Sequence, residues 1–437
     1  MKRAIVVGSG AGGAMVAREL QGTFDVTVLE EGQEFRPFRH DVRKLERLRA
    51  TGLFLDPRMI RALFPAMRVV KARDGLVLVR GSSKGGTTTL ATANALRCDD
   101  ALREIGLDLG AEFDSLRAEL PVSVEHERGW RDITKRLFAA CGDLHLDPQV
   151  LPKLVDPRRC RHCGRCMLGC TAGAKWDAGR LVREAEDAGA TVVTGARVER
   201  VTVDHRGGTG GHTPRATGVV VRRRGRKQHL AADLVVLSAG GLGTPVILEA
   251  SRIATERRLF VDPVLCVAAP WPGEDVPPEI PMPFAVDRGD FIVSPYFDYL
   301  SFFFNPAWRS SSRHMLSLMV KFADTEAGTV GRRRVSKGVT FADRRRIAEG
   351  LEVCRELLGR VGIPARDAVV GTLNAGHPGG TLPLTPQSAA GLHDGRLPAG
   401  LYVSDASLLP RSLGKPPMLT IMALAKRVAA ACKETAA

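Results

Sequence analysis

The sequence of 437 residues contains no uninterrupted apolar run of about eighteen residues, so no transmembrane segment is predicted. Its N-terminal apolar stretch is too short for the core of a signal peptide, and we expect an intracellular, cytoplasmic protein. Internal repeats and low-complexity segments are also missing, while hydrophobic residues (44%) and charged residues (25%) occur at ordinary globular levels. These features exclude a fibrous, coiled-coil or mainly disordered chain and favour two packed domains.

Aromatic residues are few, 5% of the chain, and none of the basic runs is interleaved with them. The 63 lysines and arginines exceed the 48 aspartates and glutamates, which gives a net charge of +15. A nucleic-acid surface needs basic residues on one face, ideally with aromatics. The run at 222–227 instead lies between two apolar strand patterns and is typical of an exposed hairpin tip. We predict no nucleic-acid partner; the charge suits a solvated surface or the attraction of an acidic partner or substrate.

The first thirty residues have the pattern of a dinucleotide-binding βαβ unit. A strand at 4–7 leads into glycines at positions 8, 10 and 13, a helical stretch follows, and a second strand ends at Glu30. In this fingerprint Gly8 permits the tight turn, Gly10 lets the backbone approach a pyrophosphate and Gly13 lets helix and strand pack closely. Glu30 stands where an acidic side chain can accept hydrogen bonds from a ribose. The pattern predicts a dinucleotide site.

Further glycine-rich segments follow other strand-like stretches. The loop at 81–88 carries hydroxyls and a lysine but lacks the G-K-[ST] ending of a P-loop. Its backbone N–H groups could bind a phosphate, although a plain loop is equally compatible. A strand at 233–238 runs into glycines at 240, 241 and 243 and then a helix. A strand at 401–403 and a long alanine-rich helix after Pro416 and Pro417 close the chain.

Two longer regions have a less specific pattern. Residues 37–75 are predicted to form short helices, and residues 67–80 a hairpin with its turn at 74–75. Nine of the 23 aromatic residues fall between 284 and 308. This stretch suits a sheet, either as ordinary core or as the wall of a substrate pocket. An amphipathic helix is predicted at 341–359.

Four of the nine cysteines fall within eleven residues as C-x2-C-x2-C-x3-C: Cys160, Cys163, Cys166 and Cys170. In an intracellular protein such clustering indicates a metal centre rather than disulfides. The spacing resembles the ligation of a [4Fe–4S] cluster in bacterial ferredoxins. Zinc is the alternative, although its sites usually pair C-x2-C with a second pair about a dozen residues away; a thiol cluster without metal also stays open. Because the fourth cysteine of two-cluster ferredoxins serves the other cluster, a remote cysteine could replace Cys170.

In their order along the chain, these motifs resemble the glucose–methanol–choline (GMC) family of flavoprotein oxidoreductases. The resemblance is carried by the glycine fingerprint with VTVLEEG, GSSKGGTTT, LSAGGLGTP, HPGGT and LYVSDASLLP followed by PPMLTIMALAKRVA. It implies an α/β fold with an FAD-binding Rossmann-like domain and an α+β substrate domain on an antiparallel sheet. We expect a discontinuous FAD-binding domain at 1–253 and 371–437, which includes the cysteine segment 158–175, and a substrate domain at 254–370.

The resemblance also implies which residues act. It assigns FAD to the nucleotide site, held by Gly8, Gly10, Gly13, Glu30, Gly85, Gly86, Thr87, Val198, Asp405, Ala406 and Met418. His377 matches the family's active-site histidine, and an imidazole suits the removal of a hydroxyl proton as hydride leaves. Many members have a second histidine or asparagine where this chain has Pro416, so the usual pair is missing.

The implied activity is that of an FAD-dependent dehydrogenase, an enzyme that oxidises a CH–OH substrate by hydride transfer to the flavin. A [4Fe–4S] cluster would pass the electrons singly to an external acceptor such as a small acidic carrier protein or a quinone, which favours a dehydrogenase over an oxidase. The substrate is expected to be a small-molecule alcohol, bulky or aromatic. Two alternatives stay open: a non-redox FAD-containing lyase of the hydroxynitrile lyase type, and a flavin/iron–sulfur electron-transfer subunit.

Overall fold

The structure is a computed structural model that describes residues 1–39, 45, 46, 49, 60, 64–205, 214–271, 275–332 and 334–435. The short helices predicted within 37–75 fall largely outside the described residues. No helix in these described ranges is both long and apolar enough to cross a bilayer.

The described part of the chain alternates strands with helices in its first half and is richer in strands in its second half. The strands are β1 Lys2–Val7, β2 Phe24–Glu30, β3 Met67–Lys71, β4 Val77–Gly81, β5 Val122–Ser123, β6 Pro148–Val150, β7 Lys153–Leu154, β8 Thr191–Thr194, β9 Ala196–Asp204, β10 Arg215–Arg223, β11 Arg226–Ala231, β12 Leu234–Leu237, β13 Val264–Pro270, β14 Phe284–Asp287, β15 Phe291–Pro295, β16 Met315–Phe322, β17 Thr329–Val330, β18 Val335–Ser336, β19 Val369–Val370, β20 Asn374–Ala375 and β21 Leu401–Val403. The α-helices are α1 Ala11–Glu19, α2 Asp100–Arg103, α3 Gly110–Glu119, α4 Asp132–Asp143, α5 Gly179–Asp187, α6 Gly240–Ala250, α7 Tyr299–Phe304, α8 Phe341–Arg360, α9 Pro386–Ala389 and α10 Met418–Glu434. Short 3-10 helices occupy Gly86–Leu90, Glu125–Gly129, Cys166–Leu168, Ser312–His314, Ala365–Asp367 and Ala406–Leu408.

A five-stranded parallel sheet has the order β21-β12-β1-β2-β8. Its strands are short apolar runs, and β12 is buried along its whole length, as expected when helices cover both faces of a parallel sheet. Helix α1 packs against α5 and α10. The strands predicted at 4–7, 25–29, 233–238 and 401–403 are confirmed, and so is the predicted α/β fold class.

A nine-stranded, mainly antiparallel sheet has the order β3-β4-β20-β13-β16-β15-β14-β6, with β19 also paired to β13. Every residue of β16 is buried because α4 and α8 cover one face and an aromatic cluster covers the other. Four strands of this sheet (β3, β4, β6 and β20) come from outside 254–370. One sheet is thus built from both segments that were assigned to separate domains, and the two-domain division stays a prediction.

The aromatic stretch at 284–308 is only partly a sheet. Strands β14 and β15 fit the prediction, but Tyr299–Phe304 forms helix α7, because the Asp298 side chain accepts a hydrogen bond from the Leu300 N–H and caps a helix there. The rings of Phe297, Phe302 and Trp308 pack on one face of the sheet as ordinary core.

The basic run at 222–227 turns between β10 and β11, so the predicted hairpin tip is confirmed. Arg222 and Lys227 lie 2.6 and 3.0 Å from the carboxylate of Glu199. Part of the run's positive charge is therefore neutralised within the hairpin sheet.

Candidate active site and cysteine loop

The carboxyl ends of the parallel strands open onto a cavity of about 260 Å³. The glycine turn after β1, the loop after β4, the glycine junction before α6 and the start of α10 all border it. Nine of the predicted cofactor-binding residues line the cavity together with the predicted catalytic His377: Gly8, Gly10, Glu30, Gly86, Thr87, Val198, Asp405, Ala406 and Met418. Gly13 and Gly85 lie just behind its wall. Four segments that are far apart in the sequence therefore meet at one place.

The turn after β1 requires glycine at position 8. Gly8 has a φ of +94°, and a Cβ there would lie 2.3 Å from the Ser238 carbonyl oxygen. A Cβ on Gly13 would lie 2.0 Å from the Gly8 carbonyl oxygen, so helix α1 packs directly on the turn. These contacts fix the start of α1 at the cavity, where its first backbone N–H groups face any bound anion.

The second glycine loop lies against the first. A Cβ on Gly86 would lie 2.7 Å from the Gly10 Cα, and the Gly85 N–H donates to the Ser9 hydroxyl at 3.1 Å. Thr87 closes the loop by accepting a hydrogen bond from the Gly81 N–H at 3.0 Å. The loop is therefore held as a wall of the cavity rather than as a free connection.

Glu30 is buried at the end of β2 and borders the cavity. Its carboxylate accepts hydrogen bonds from the Ser9 hydroxyl at 2.7 Å, the Ser9 N–H at 3.1 Å and the Gly32 N–H at 2.7 Å. Burial raises the pKa of Glu30, and these three donors partly oppose the rise. Glu30 thus holds the first glycine turn in place besides facing the predicted ribose position.

Asp405 joins the C-terminal motif to the glycine junction before α6. Its Oδ2 accepts from the Thr244 hydroxyl at 2.5 Å and the Gly240 N–H at 2.9 Å, and its Oδ1 accepts from the Ser407 N–H at 2.8 Å. Burial raises the pKa of Asp405 despite these bonds. The carboxylate therefore fixes two cavity walls that are more than 160 residues apart in sequence.

His377 follows β20, in a loop that is hydrogen-bonded to the segments just before β13 and just after β21. Gly379 exchanges backbone hydrogen bonds with Phe260, and the Gly380 N–H donates to the Ala406 carbonyl at 3.1 Å. A Cβ on Gly241 would lie 2.0 Å from the Pro378 carbonyl oxygen. The imidazole is consequently held at the cavity, and its buried Nδ1 has no hydrogen-bond partner among the described residues.

The electrostatic surroundings keep the His377 imidazole neutral. Burial lowers the pKa of His377 well below its ordinary value, and the positive charge of Lys321 lowers it further. Lys321 is itself buried in β16, where its Nζ donates to the Asp262 carbonyl at 2.8 Å. A neutral imidazole has one ring nitrogen with a free lone pair, which can accept a hydrogen bond or a proton.

The cysteine loop, residues 156–174, is closed at its base by a bridge between Val155 and Lys175. The Asp156 N–H donates to the Ala174 carbonyl at 2.9 Å and completes the closure. All four thiol-bearing residues of the motif line one small cavity inside the loop. The predicted candidate ligands Cys160, Cys163, Cys166 and Cys170 are therefore brought together.

The thiols do not form a ready-made metal site. As the side chains stand, no three His, Cys, Asp or Glu groups in the described ranges are arranged to hold a metal ion, and the small cavity measures only about 20 Å³. Burial raises the pKa of Cys166 to about 11 and also raises that of Cys160. The nearby His162 is occupied elsewhere, because its Nδ1 lies 2.6 Å from Glu279 Oε1.

Two buried lysines adjoin the cysteine loop. Lys153 donates to the Pro281 carbonyl at 2.7 Å and to the Asn94 side chain. Lys175 donates to the carbonyls of Thr89 at 2.6 Å and Cys166 at 2.9 Å. Burial lowers the pKa of both lysines, that of Lys153 to about 7.

Comparison with known proteins agrees with this geometry. The sequence model described as GMC oxidoreductase matches residues 4–270, which is more than half of the chain. The chain belongs to the GMC oxidoreductase family.

Several GMC relatives can be named. The chain is 34% identical over 280 residues to an uncharacterized GMC-type oxidoreductase of Mycobacterium tuberculosis, with 59% of this chain and 40% of the relative covered. It is 30% identical over 296 residues to the long-chain-alcohol oxidase FAO4B of Arabidopsis thaliana, with 62% and 37% covered. The chain thus spans about 40% of the length of these curated relatives. Among solved structures, pyridoxine 4-oxidase from Mesorbium loti superposes with a TM-score of 0.70 at 18% identity, with 98% of this chain and 99% of that one covered, which shows the shared fold.

Against the GMC pattern, the position next to the last helix stands out. Pro417 borders the cavity just before Met418, and it follows Pro416, the position at which a second histidine or asparagine was expected. The neighbouring Lys415 lies 2.5 Å from Asp287 Oδ2, so its ammonium is engaged in an ion pair. The segment before α10 therefore offers no polar side chain in place of the missing histidine or asparagine.

Several residues with a role in the geometry were not predicted from the sequence. Ser9 and Thr244 are hydroxyls beside predicted glycines, and their positions in the motifs could have indicated them. Lys153, Lys175 and Lys321 carry no local signal, because only the folded chain shows that they are buried.

Proposed function

We propose that this GMC-family chain is an FAD-dependent dehydrogenase that oxidises a CH–OH group and passes the electrons through a [4Fe–4S] cluster bound by its cysteine loop. The observation that carries the proposal is the position of His377, a base kept neutral by its surroundings, at the edge of a cavity built from glycine turns. The discontinuous FAD-binding domain and the substrate domain at 254–370 belong to the same proposal.

The cavity residues fit FAD. Glycine turns at Gly8 and Gly86 leave backbone exposed where a pyrophosphate needs close approach. Glu30 and Asp405 offer carboxylate oxygens to hydroxyls, and the buried hydroxyl of Ser238 has no partner among the described residues. A nucleotide rich in hydroxyl and phosphate groups matches this set. When bound, FAD supplies the acceptor of the hydride.

In this proposal His377 acts as the base. Oxidation of the alcohol breaks its C–H and O–H bonds: the hydride carries two electrons away, and the O–H proton moves to the imidazole. The carbonyl product forms as the C–O bond gains double-bond character. A neutral imidazole is required for this step, and burial together with Lys321 supports that state.

The substrate is proposed to be a primary alcohol with an apolar body. The relatives named as long-chain-alcohol oxidases support a long aliphatic chain. No aromatic side chain of 284–308 lines the nucleotide cavity, so the predicted aromatic wall of a substrate pocket stays a prediction. On the names of these relatives we favour an aliphatic alcohol over an aromatic one.

The cysteine loop supports a cluster through its donor chemistry. Four thiols and no carboxylate line its cavity, which suits iron–sulfur or zinc ligation. Since that cavity is small, the thiol side chains would have to turn apart to hold either group. The ferredoxin-like spacing favours [4Fe–4S] over zinc, and a cluster gives the two electrons a route to one-electron acceptors.

The acceptor is proposed to be a small acidic electron-carrier protein. Cys163 is exposed, and the side chains of Arg158 and Arg161 are exposed beside it. Fixed positive charge at the exit of the electron path attracts an acidic partner and speeds its encounter.

The proposal is tested by purifying the protein anaerobically and measuring its visible spectrum, iron and acid-labile sulfide. Long-chain and aromatic primary alcohols are then titrated in without oxygen. We expect about one FAD and four irons per chain, with bleaching of the flavin band by a long-chain alcohol. A carbonyl product without bleaching would favour a lyase instead, and bleaching by no alcohol while a donor protein still reduces the flavin would favour an electron-transfer subunit. A protein without iron and sulfide would refute the cluster.

A further inference from the structure

Five lysines are buried among the described residues: Lys84, Lys153, Lys175, Lys321 and Lys337. Three of them lie near a carboxylate: Lys84 Nζ is 2.6 Å from Glu186, Lys337 Nζ is 2.8 Å from Asp324 and Lys321 Nζ is 3.7 Å from Asp262. Lys153 and Lys175 have no carboxylate oxygen within 4.0 Å in the described ranges. A buried charge without a countercharge is costly, so these two ammonium groups require an explanation.

Both ammonium groups are surrounded by neutral acceptors. Lys153 bonds the carbonyls of Thr92 and Pro281 and the side-chain oxygen of Asn94. Lys175 likewise bonds only carbonyl oxygens, of Thr88, Thr89, Ala91 and Cys166. These bonds orient the ammonium groups and lower the cost of burial, but no carboxylate within 4.0 Å in the described ranges balances the positive charge that either lysine carries when protonated.

The ionisable groups that interact electrostatically with these lysines are thiols of the cysteine loop and, for Lys175, also the carboxylate of Asp177. Lys175 lines the cysteine cavity and bonds the Cys166 carbonyl. Lys153 is close enough to interact electrostatically with the thiols of Cys160 and Cys166. Ile280 also lines the cavity, next to the Pro281 carbonyl that Lys153 bonds. The two unpaired lysines therefore flank the same group of sulfur atoms.

We propose that Lys153 and Lys175 are the countercharges of an anionic, thiolate-ligated metal centre and raise its reduction potential. Four thiolates around a [4Fe–4S]²⁺ core carry a net charge of two negatives, which the two ammonium groups balance. Accepting one electron adds a third negative charge, and nearby positive charge favours that state. The proposal rests on the proposed function only in requiring the cysteine loop to bind metal.

Lys175 also links this centre to the nucleotide cavity. Its ammonium bonds the carbonyls of Thr88 and Ala91, which both line that cavity, and on its other side the carbonyl of Cys166. One side chain thus spans the wall between the two sites. We infer that Lys175 influences both the cluster and the flavin-binding loop, whereas Lys153 influences the cluster alone.

The test uses the purified holoenzyme and the substitutions Lys153→Met, Lys175→Met and both together. Lys337→Met is the matched control, because it removes a buried lysine that is paired with Asp324. Iron and sulfide are counted per chain, and the midpoint potential of the cluster is measured in a redox titration followed by electron paramagnetic resonance. Each single substitution is expected to shift the potential to a more negative value, the double one further, and the control not at all.

Further variants and a zinc measurement complete the test. If a methionine variant does not fold, Lys→Gln at the same position removes the charge and keeps an N–H donor for the carbonyls. If the loop holds zinc, the iron–sulfur part of the proposed function is wrong, and the countercharge role then predicts faster loss of zinc to a chelator from both variants. If the wild type binds metal and the variants have the same potential, or the same rate of metal loss, the countercharge role is wrong while the proposed metal site still stands. A wild type that binds no metal would overturn both proposals.

Discussion

The nucleotide cavity and the cysteine loop are built in opposite ways. The cavity is made of backbone: glycine turns touch one another, and its buried acids, Glu30 and Asp405, accept hydrogen bonds from N–H and hydroxyl groups. The cysteine loop is made of side chains: four cysteines line one small cavity, and the buried lysines beside them, Lys153 and Lys175, donate hydrogen bonds only to neutral oxygens of the described residues. Buried charge at the cavity is therefore negative and buried charge at the loop is positive, and in both places the hydrogen-bond partners are neutral groups.

The two sites therefore depend on different kinds of interaction. Cavity residues position a cofactor through shape, so their loss should remove flavin or its chemistry. Loop residues act through charge and ligation, so their loss should remove metal and leave the flavin reaction. The wall between the sites is thin, since the Lys175 side chain bonds carbonyl groups on both sides of it. Substitutions on each side test whether the two functions separate.

The largest effect is expected for His377→Ala. Without a base for the hydroxyl proton, the rate of flavin reduction by alcohol should fall by about 10²- to 10⁴-fold. Stopped-flow absorbance of the flavin band under anaerobic conditions measures this rate. Flavin and iron contents serve as controls and should not change. An unaltered rate would mean that another group takes the proton.

The next largest effect is expected in the cysteine loop. Cys163→Ser should remove most of the iron and sulfide and abolish transfer to the acceptor, while flavin reduction by alcohol continues. Metal analysis and the two half-reaction rates measure this. Cys354→Ser, at a buried cysteine outside the loop, is the matched control and should retain the iron. Loss of flavin reduction in Cys163→Ser would show that the two sites are not separable.

Much of the fold follows from local sequence. The apolar runs of β1, β2 and β12 predict a buried parallel sheet, and the glycine spacing predicts the turn at Gly8. Helix α7 was not predicted, because the aromatic run was interpreted as a sheet, whereas the helix depends on the cap at Asp298.

The candidate sites were predictable only in part. Motifs identified His377 and the four cysteines because their spacing is local. The bond between Thr244 and Asp405 joins distant segments, and local patterns do not encode it. The two lysines of the further inference are harder still: the sequence gives no sign that Lys153 is buried, nor that no carboxylate of the described residues lies within 4.0 Å of it. Such long-range electrostatics require the tertiary structure.

A moderate effect is expected at the first glycine turn. Gly8→Ala places a Cβ 2.3 Å from a carbonyl oxygen at a φ of +94°, so stability should fall by about 1–3 kcal/mol and flavin content should drop. Gly22→Ala is the matched control, since Gly22 has a φ of +77° with nothing within 4 Å of its Cβ position. Gly22→Ala should lower the free energy of unfolding by about 1–2 kcal/mol through backbone strain alone and leave the flavin content unchanged. Thermal unfolding and flavin absorbance measure both. Equal flavin loss in the two variants would show that the close contact is unimportant.

A smaller effect is expected in the pH dependence. Because burial and Lys321 lower the pKa of His377 below its ordinary value of 6.5, the imidazole stays unprotonated at pH 6.5. The rate of flavin reduction should therefore hold its plateau at pH 6.5 and fall only at lower pH. Lys321→Met removes a positive charge, raises the pKa of His377 and should move the fall towards higher pH. A wild-type rate already halved at pH 6.5 would contradict this electrostatic account.

The smallest effect is expected at the surface of the cysteine loop. Arg158→Glu and Arg161→Glu reverse exposed charges beside Cys163, so reduction of an acidic carrier protein should slow by about 10-fold at low salt. The difference should shrink as salt screens the charges, because they act at a distance rather than by contact. Arg226→Glu, on the hairpin tip, is the control for net charge and should change the rate little. A quinone acceptor would be insensitive to all three substitutions. An unchanged rate with the physiological acceptor would therefore indicate a neutral acceptor instead of an acidic carrier protein, and the proposed role of the cluster would not be affected.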